Sequence, residues 1–150
     1  MQASSTNTSA FKLNDNVHLF TSRQFSRTAA NGGISGVTYE GLANLGGIDC
    51  ANANKSNSCG IDRVPTSSTL ISHAMTVAHE LGHNLNSVHD AQTSSAGAYC
   101  PSTGYIMQAV TDPLAPLPTT FSNCSQSQIY DWLQSSSHTG CLLTTSTTCG

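Results

Sequence analysis

Three histidines and a glutamate lie within the segment HELGHNLNSVH, which runs from His79 to His89. On a helix, residues four apart share a face, so His79 and His83 can place imidazole nitrogens on one metal ion. A catalytic zinc ion keeps three protein ligands and one water, whose pKa it lowers to about 7. Glu80, beside the first ligand, is positioned to take the proton of that water as a general base. The spacing therefore predicts a catalytic zinc site with His79, His83 and His89 as ligands.

The third ligand requires a sharp turn, because a continued helix would carry His89 away from the face of His83. The turn falls at Asn86, where a left-handed backbone would suit Gly best and Asn next, since a Cβ is penalised at positive φ. We therefore expect the helix to end near Leu85. A surface helix with scattered histidines is the alternative interpretation. The remaining histidines are interpreted as packed or solvated side chains and not as ligands: His18, His73 and His138.

The zinc motif, the Asp90 that follows it and the downstream Tyr105-Ile106-Met107 resemble the metzincin metallopeptidases, and within them the adamalysin or reprolysin (ADAM-like) group. The resemblance implies that Met107 lies in a tight turn beneath the metal as an apolar floor, with ordinary core packing as the alternative. It implies that Asp90 is hydrogen-bonded near this turn and helps to fix the site. Astacins and serralysins would carry a tyrosine at position 109, which is Ala109 here, so Tyr105 is not a predicted ligand.

The resemblance extends to other segments in the family's order, from about Asp15 to Leu143. The segment GLANLGGIDC, residues 41–50, resembles the edge strand that pairs with an extended peptide substrate through its unpaired backbone groups. The predicted substrate-binding residues are Leu42, Ala43, Asn44, Leu45 and Gly46. A plain edge strand without a ligand is the alternative.

The predicted fold class is α+β, a zincin-like (metzincin) mixed twisted sheet with an active-site helix and an irregular C-terminal subdomain. Val17–Phe20 and Leu42–Gly46 are predicted strands, with Ser67 or Ser68 capping the active-site helix and a second helix starting near Ser125. Relatives carry two strands and two helices before these elements, and the first fourteen residues are too few to supply them. We interpret residues 1–150 as one N-terminally truncated catalytic domain. A minimal variant, or a partner chain that supplies the missing layer, is the alternative.

The cysteines and the composition indicate a secreted protein. Six cysteines form an even set, and only 9% of the residues are charged, which suits an oxidising compartment. The sequence alone does not choose among the possible pairings. The resemblance favours the disulfides Cys50–Cys141 and Cys100–Cys124. It leaves Cys59 and Cys149 for a third bridge. A net charge of −3 with scattered Lys and Arg argues against nucleic acid and anionic membrane as partners, and no membrane segment is predicted.

These observations together predict a monomeric, secreted zinc endopeptidase that acts on protein or peptide substrates. By resemblance, a zinc-activated water would attack the peptide carbonyl, with Glu80 as the general base. An inactive or non-catalytic zinc-binding fragment of such a domain is the alternative function. Zinc (Zn²⁺) is the predicted cofactor. Calcium (Ca²⁺) stays open, because family members bind it at positions matching Asp15 and Cys141, whereas Thr144 replaces an expected Asn.

Overall fold

The computed structural model describes residues 16–28, 34–49, 58–91, 100–112 and 114–143 of the 150-residue chain. Its regular elements follow one another as β1 (Val17–Thr21), β2 (Phe25–Thr28), β3 (Ile34–Tyr39), β4 (Gly41–Ala43), β5 (Cys59–Arg63), α1 (Leu70–Asn84), α2 (Asn123–Gln134), α3 (Ser136–Thr139) and a 3₁₀ turn (Gly140–Leu143). The predicted α+β class with a mixed sheet is confirmed. None of the helices in these ranges is long and apolar enough to cross a membrane.

The sheet beside the candidate site has the order β1-β5-β4. Strand β1 pairs with β5 in parallel, and β4 pairs with β5 antiparallel. Alternate residues of a strand face opposite sides, so His18, Gly60 and Asp62 share one face. Leu19 and Ile61 lie on the other face and are exposed. Strands β2 and β3 form a separate antiparallel pair with a register shift between Ser26 and Thr28.

Helix α1 covers the face of the sheet that carries Asp62. It begins after Thr69, whose side chain accepts a hydrogen bond from the Ser72 N–H at 3.2 Å, so the predicted caps at Ser67 or Ser68 were wrong. The buried residues of α1 include Thr76, Glu80 and Asn84, a polar stripe at a spacing of four. An apolar stripe is the usual buried face of a helix. Of these three side chains, Asn84 bonds the sheet, where its amide donates to the Cys59 carbonyl, whereas Thr76 donates to the Ser72 carbonyl of its own helix.

The predicted substrate strand Leu42–Gly46 was too long, because β4 ends at Ala43. The chain then turns, with the Gly47 N–H donating to the Asn44 carbonyl at 3.1 Å and Gly46 at φ 62°. The Gly46 N–H donates to the carbonyl of His83 at 2.8 Å. Carbonyls at a helix C-terminus lack partners within the helix. The turn supplies one, and this contact bends the chain away from the sheet.

Helix α2 begins at Asn123, two residues before the predicted start near Ser125. Its N-cap is Ser122, whose side chain accepts from the Ser125 N–H at 3.1 Å. The indole N–H of Trp132 donates to the Ile48 carbonyl at 3.0 Å, so α2 holds the turn after β4 in place.

The predicted disulfide Cys100–Cys124 is present, with its Cα atoms 5.8 Å apart, and it ties the segment from residue 100 to the first turn of α2. The structure does not test the other two predicted disulfides, because Cys50, Cys149 and the side chain of Cys141 lie outside the described residues. Asp15 and Thr144 of the calcium question lie outside them too.

Candidate active site

The structure brings the three histidines of the motif together. His79 and His83 come from successive turns of α1, and His89 returns from the loop that follows. The Nε2 atom of His89 lies 3.2 Å from Nε2 of His79 and 3.1 Å from Nε2 of His83. Within the described ranges this is the one group of three or more potential ligand residues whose binding atoms lie within 4.8 Å of one another.

Hydrogen bonds on the far side of two rings fix which nitrogen faces the cluster. Nδ1 of His79 lies 2.6 Å from the Ile106 carbonyl, and Nδ1 of His83 lies 2.7 Å from the Ser87 carbonyl. A carbonyl only accepts, so each Nδ1 carries the hydrogen and each Nε2 presents a lone pair. Tetrahedral zinc bound to nitrogen at about 2.0–2.1 Å requires ligand separations of about 3.3 Å. The observed separations and the converging lone pairs fit such an ion.

Burial keeps the three imidazoles in the neutral form that a metal needs. It lowers the pKa of His83 to about 4, and the hydrogen bond to Ser87 opposes this only in part. It lowers the pKa of His79, against the hydrogen bond to the Ile106 carbonyl, and also the pKa of His89, against the charge of Asp90. Protons therefore compete weakly for these nitrogens.

The turn after α1 has the predicted left-handed backbone, since Asn86 has φ 68°. The Asn86 N–H donates to the His83 carbonyl at 2.9 Å, and the Ser87 N–H donates to the Gly82 carbonyl at 2.9 Å. These bonds close the helix end and reverse the chain. The reversal brings His89 back beside His83.

Glu80 is almost completely buried, with 4% of its surface exposed. It faces β4, where a Cβ built on Gly41 would lie 2.2 Å from Oε1 of Glu80. Its Oε2 atom has no hydrogen-bond partner among the described residues. Burial raises the pKa of the Glu80 carboxyl to about 8, and the nearby Asp62 carboxylate adds to the rise. The group is thus a desolvated carboxyl with one buried oxygen that no hydrogen bond from the described residues occupies.

Met107 lies directly beneath the helix segment that carries the ligands. It is fully buried, and a Cβ built on Gly82 would lie 2.5 Å from its sulfur. Gly82 sits between His79 and His83 in the chain, so the thioether packs against the one position of this turn that has no side chain. Met107 therefore packs on the helix turn that carries His79 and His83, and its role as an apolar floor beneath a metal stays a prediction.

Asp90 links the loop of the third histidine to the segment of Met107 and to α2. Its N–H donates to the Met107 carbonyl at 2.8 Å. Its Oδ1 atom accepts from the hydroxyls of Ser122 at 2.5 Å and Ser125 at 3.0 Å. No sequence pattern marks these two serines as supports of the site. A helix N-cap that also binds a buried carboxylate leaves no signal in local sequence.

An apolar cavity of about 220 Å³ opens beside two of the histidines. It is lined by Ala43, Leu45, His83, Val88 and His89. Two of the five predicted substrate-binding residues therefore line a pocket next to the candidate metal centre. A larger apolar groove of about 320 Å³ lies between α1 and α2, but none of the three histidines lines it. We place the site at the smaller cavity for that reason.

Comparison with known proteins shows the family of the chain. The reprolysin family model, described as metallo-peptidase family M12, matches residues 1–122. The chain belongs to this family. The chain is 35% identical over 126 residues to disintegrin and metalloproteinase domain-containing protein 19 of Mus musculus, a match that covers 83% of the chain and 12% of the relative.

Two further relatives come from a venom and from human. Snake venom metalloproteinase atroxlysin-1 of Bothrops atrox is 33% identical over 123 residues, a match that covers 81% of the chain and 50% of the venom protein. Disintegrin and metalloproteinase domain-containing protein 33 of Homo sapiens is 33% identical over 120 residues, a match that covers 80% of the chain and 13% of the human protein. The chain thus spans half the length of the venom protein and about an eighth of the other two relatives.

Proposed function

We propose that this chain is a zinc-dependent endopeptidase whose metal is held by Nε2 of His79, His83 and His89. The observation that carries the proposal is the convergence of three nitrogens at 3.1–3.2 Å, where two rings have their hydrogens committed to carbonyls on the opposite side. Membership of a metallopeptidase family agrees with it. Three imidazoles without a thiolate are the ligand set of a catalytic zinc that keeps an open position.

Glu80 is the proposed general base. When bound, the ion supplies a Lewis acid that lowers the pKa of a water and polarises the scissile carbonyl. Glu80 takes one proton from the attacking water as the new C–O bond forms. It then returns that proton to the amine nitrogen as the C–N bond breaks. The lack of a hydrogen-bond partner for Oε2 among the described residues and the low exposure of the side chain support this role, because a desolvated carboxyl binds a proton more strongly.

The proposed substrate is an extended peptide that lies along β4. Strand β4 is at one edge of the three-stranded sheet, and no other strand of the described residues pairs with its outer side. Such an edge can bind a peptide backbone by adding it as a further strand. The cavity lined by Ala43, Leu45 and Val88 would then take an apolar side chain of the substrate. Asn44 and Gly46 of the predicted set belong to the turn that follows β4.

Met107 and Asp90 are proposed to hold the site without contacting the substrate. Met107 supports the ligand-bearing turn of α1 by packing on Gly82. Asp90 ties the loop of His89 to Ser122. Secretion and a monomeric state remain part of the proposal, and the Cys100–Cys124 disulfide supports the first because such bonds persist in oxidising compartments.

The test is cleavage of casein by the zinc-loaded chain, with and without a chelator, beside two matched variants. Glu80→Gln keeps the size of the side chain but removes the base, and we expect kcat to fall by about 10²–10⁴-fold. Glu40→Gln is the control, since Glu40 is exposed and pairs with Arg63. Zinc content should be equal in all three proteins. Bound zinc without any turnover in the unmodified chain would support the non-catalytic alternative, and an active Glu80→Gln chain would refute the assigned base.

A further inference from the structure

A buried polar cluster connects the sheet to the end of α1, on the face of the helix that carries Glu80. Its side chains are Asn16, His18, Asp62 and Asn84. Asp62 and Asn84 are fully buried, and the side chain of His18 is 11% exposed. The proposed mechanism uses none of the four. Buried polar groups are costly unless they are hydrogen-bonded, so the pattern of bonds shows what the cluster holds.

The amide of Asn84 is the centre of the cluster. Its Nδ2 atom donates to the carbonyls of Asn44 at 3.0 Å and Cys59 at 3.3 Å. Because carbonyls only accept, these contacts fix which end of the amide is nitrogen. The Oδ1 atom therefore faces the other way, where it accepts from Asn16 Nδ2 at 2.8 Å and lies 3.2 Å from Nε2 of His18.

His18 is held between two acceptors. Its Nδ1 atom lies 2.5 Å from Oδ2 of Asp62, and its Nε2 atom faces the Asn84 oxygen. The Asn84 oxygen only accepts, so Nε2 is the donor in that contact. The ring fits because its cross-strand neighbour is Gly60, where an added Cβ would lie 2.6 Å from Cε1 of His18. Strands β1 and β5 thus present a fixed donor to the end of the helix.

The bond from Asn84 to the Asn44 carbonyl spans the candidate site. Asn84 follows the proposed ligand His83 in the chain, and Asn44 lies between Ala43 and Leu45, which line the apolar cavity. Two backbone bonds join the two segments that bound the cavity, from the Gly46 N–H to the His83 carbonyl at 2.8 Å and from the Ile48 N–H to the Asn84 carbonyl at 3.1 Å. The Asn84 amide adds a third contact, at Asn44, between the lining residues Ala43 and Leu45. A rotation of the amide would remove the contact at Asn44 and let the wall at Ala43 and Leu45 shift relative to the helix end, while the two backbone bonds keep the segments together.

We propose that His18, braced by Asp62, is a positioning residue that orients the Asn84 amide and thereby sets the width of the substrate pocket. The inference rests on the proposed peptidase function, of which it names a specificity element. It predicts that the loss of His18 weakens binding of a peptide whose apolar side chain enters the cavity. The metal ligands keep their own hydrogen bonds, so zinc content should not change.

The experiment is a double-mutant cycle with His18→Leu, Asn84→Ala and the combined variant. Steady-state kinetics are measured on a peptide with Leu after the scissile bond. We expect His18→Leu to raise KM by about two- to tenfold, the equivalent of one weakened hydrogen bond, with kcat nearly unchanged. The combined variant should resemble Asn84→Ala alone, because His18 acts through that amide. His73→Leu is the matched control, since His73 bonds the Pro65 carbonyl at the start of α1.

His18→Gln tests the same inference without removing the polar group. Gln keeps an N–H donor, so KM should return toward the value of the unmodified chain. Such a recovery would not be expected if His18→Leu acted through lost packing or a damaged fold. Additive effects in the cycle would overturn the inference, as would losses of kcat and zinc that match the change in KM. If the unmodified chain has no turnover, the proposed function fails separately. The affinity of the zinc-loaded chain for a leucyl-peptide hydroxamate then replaces KM, and an unchanged affinity in His18→Leu would overturn the positioning role.

Discussion

The substitution Gly41→Ala is expected to displace the carboxyl of Glu80 while leaving the fold intact. A Cβ built on Gly41 lies 2.2 Å from Oε1 of Glu80 and 2.5 Å from its Cδ and Cγ, against 3.4 Å or more for ordinary contact. Gly41 is fixed by its pairing with Asp62 across β4 and β5. Glu80 has rotatable bonds that can yield. The side chain, and not the strand, should therefore move, by about 1 Å.

The expected effect on activity is much larger than the effect on stability. A displacement of about 1 Å in a group that takes part in the reaction can cost about 10²-fold in rate. Ala in a strand is favoured over Gly by about 0.5–1 kcal/mol of backbone entropy, which offsets part of the strain at the new contact. We therefore expect kcat/KM to fall by about 100-fold and Tm to stay within about 5 °C of the unmodified protein.

The assay compares kcat/KM on a fluorogenic peptide, Tm by calorimetry and bound zinc for the same preparations. Gly140→Ala is the matched control, since a Cβ at Gly140 meets nothing within 4 Å. A Gly41→Ala chain with full activity would refute the position of the Glu80 carboxyl beside Gly41. A large fall in Tm would show instead that the strand moves and the side chain does not.

Three further predictions concern the turn, the support of Asp90 and pH. Asn86→Ala should lower the free energy of unfolding by about 1–2 kcal/mol in denaturant titrations, because Asn86 has φ 68°, and Asn86→Gly should not. Ser122→Ala removes both a helix N-cap and a hydrogen bond to Asp90, so it should lower the free energy of unfolding by about 1–3 kcal/mol. The same variant should bind zinc more weakly in a competition with a chelator. Burial raises the pKa of Glu80 from 4.5 to about 8, so the folded chain holds this proton more tightly than the unfolded chain. The stability that this proton contributes is full below about pH 4.5 and is lost as pH rises through about 8. The Tm of the metal-free chain, relative to that of Glu80→Gln, should therefore fall over that pH range. A Tm difference that does not change with pH would refute the raised pKa of Glu80.

The candidate metal site could be predicted from sequence because its determinants are local. His79 and His83 share a helix face at any position where that helix forms. The return of His89 depends on the turn at Asn86, whose positive φ the residue type allowed us to predict. The resemblance also identified Met107, which the structure packs against Gly82.

Two boundaries differ from the prediction at places where a distant contact is made, whereas the cap of α1 at Thr69 depends on a local contact with Ser72. Strand β4 ends at Ala43 because the following turn bonds the last carbonyls of α1, and Gly46 reaches His83 only in the folded chain. Helix α2 starts after Ser122, whose hydroxyl serves both the helix and Asp90. Capping patterns within a few residues cannot reveal a partner that lies more than thirty positions away.

The sequence by itself determined the groups of the candidate site: three imidazoles, one carboxylate and a turn, all within eleven consecutive residues. Tertiary structure alone decided what surrounds them. It brought Asn16 and His18 to Asn84, across 68 and 66 positions of the chain, and it buried Glu80 against Gly41. The physical reason is the range of the interactions. Helix geometry fixes neighbours four residues apart, whereas burial and hydrogen-bond partners depend on which strand packs under which helix.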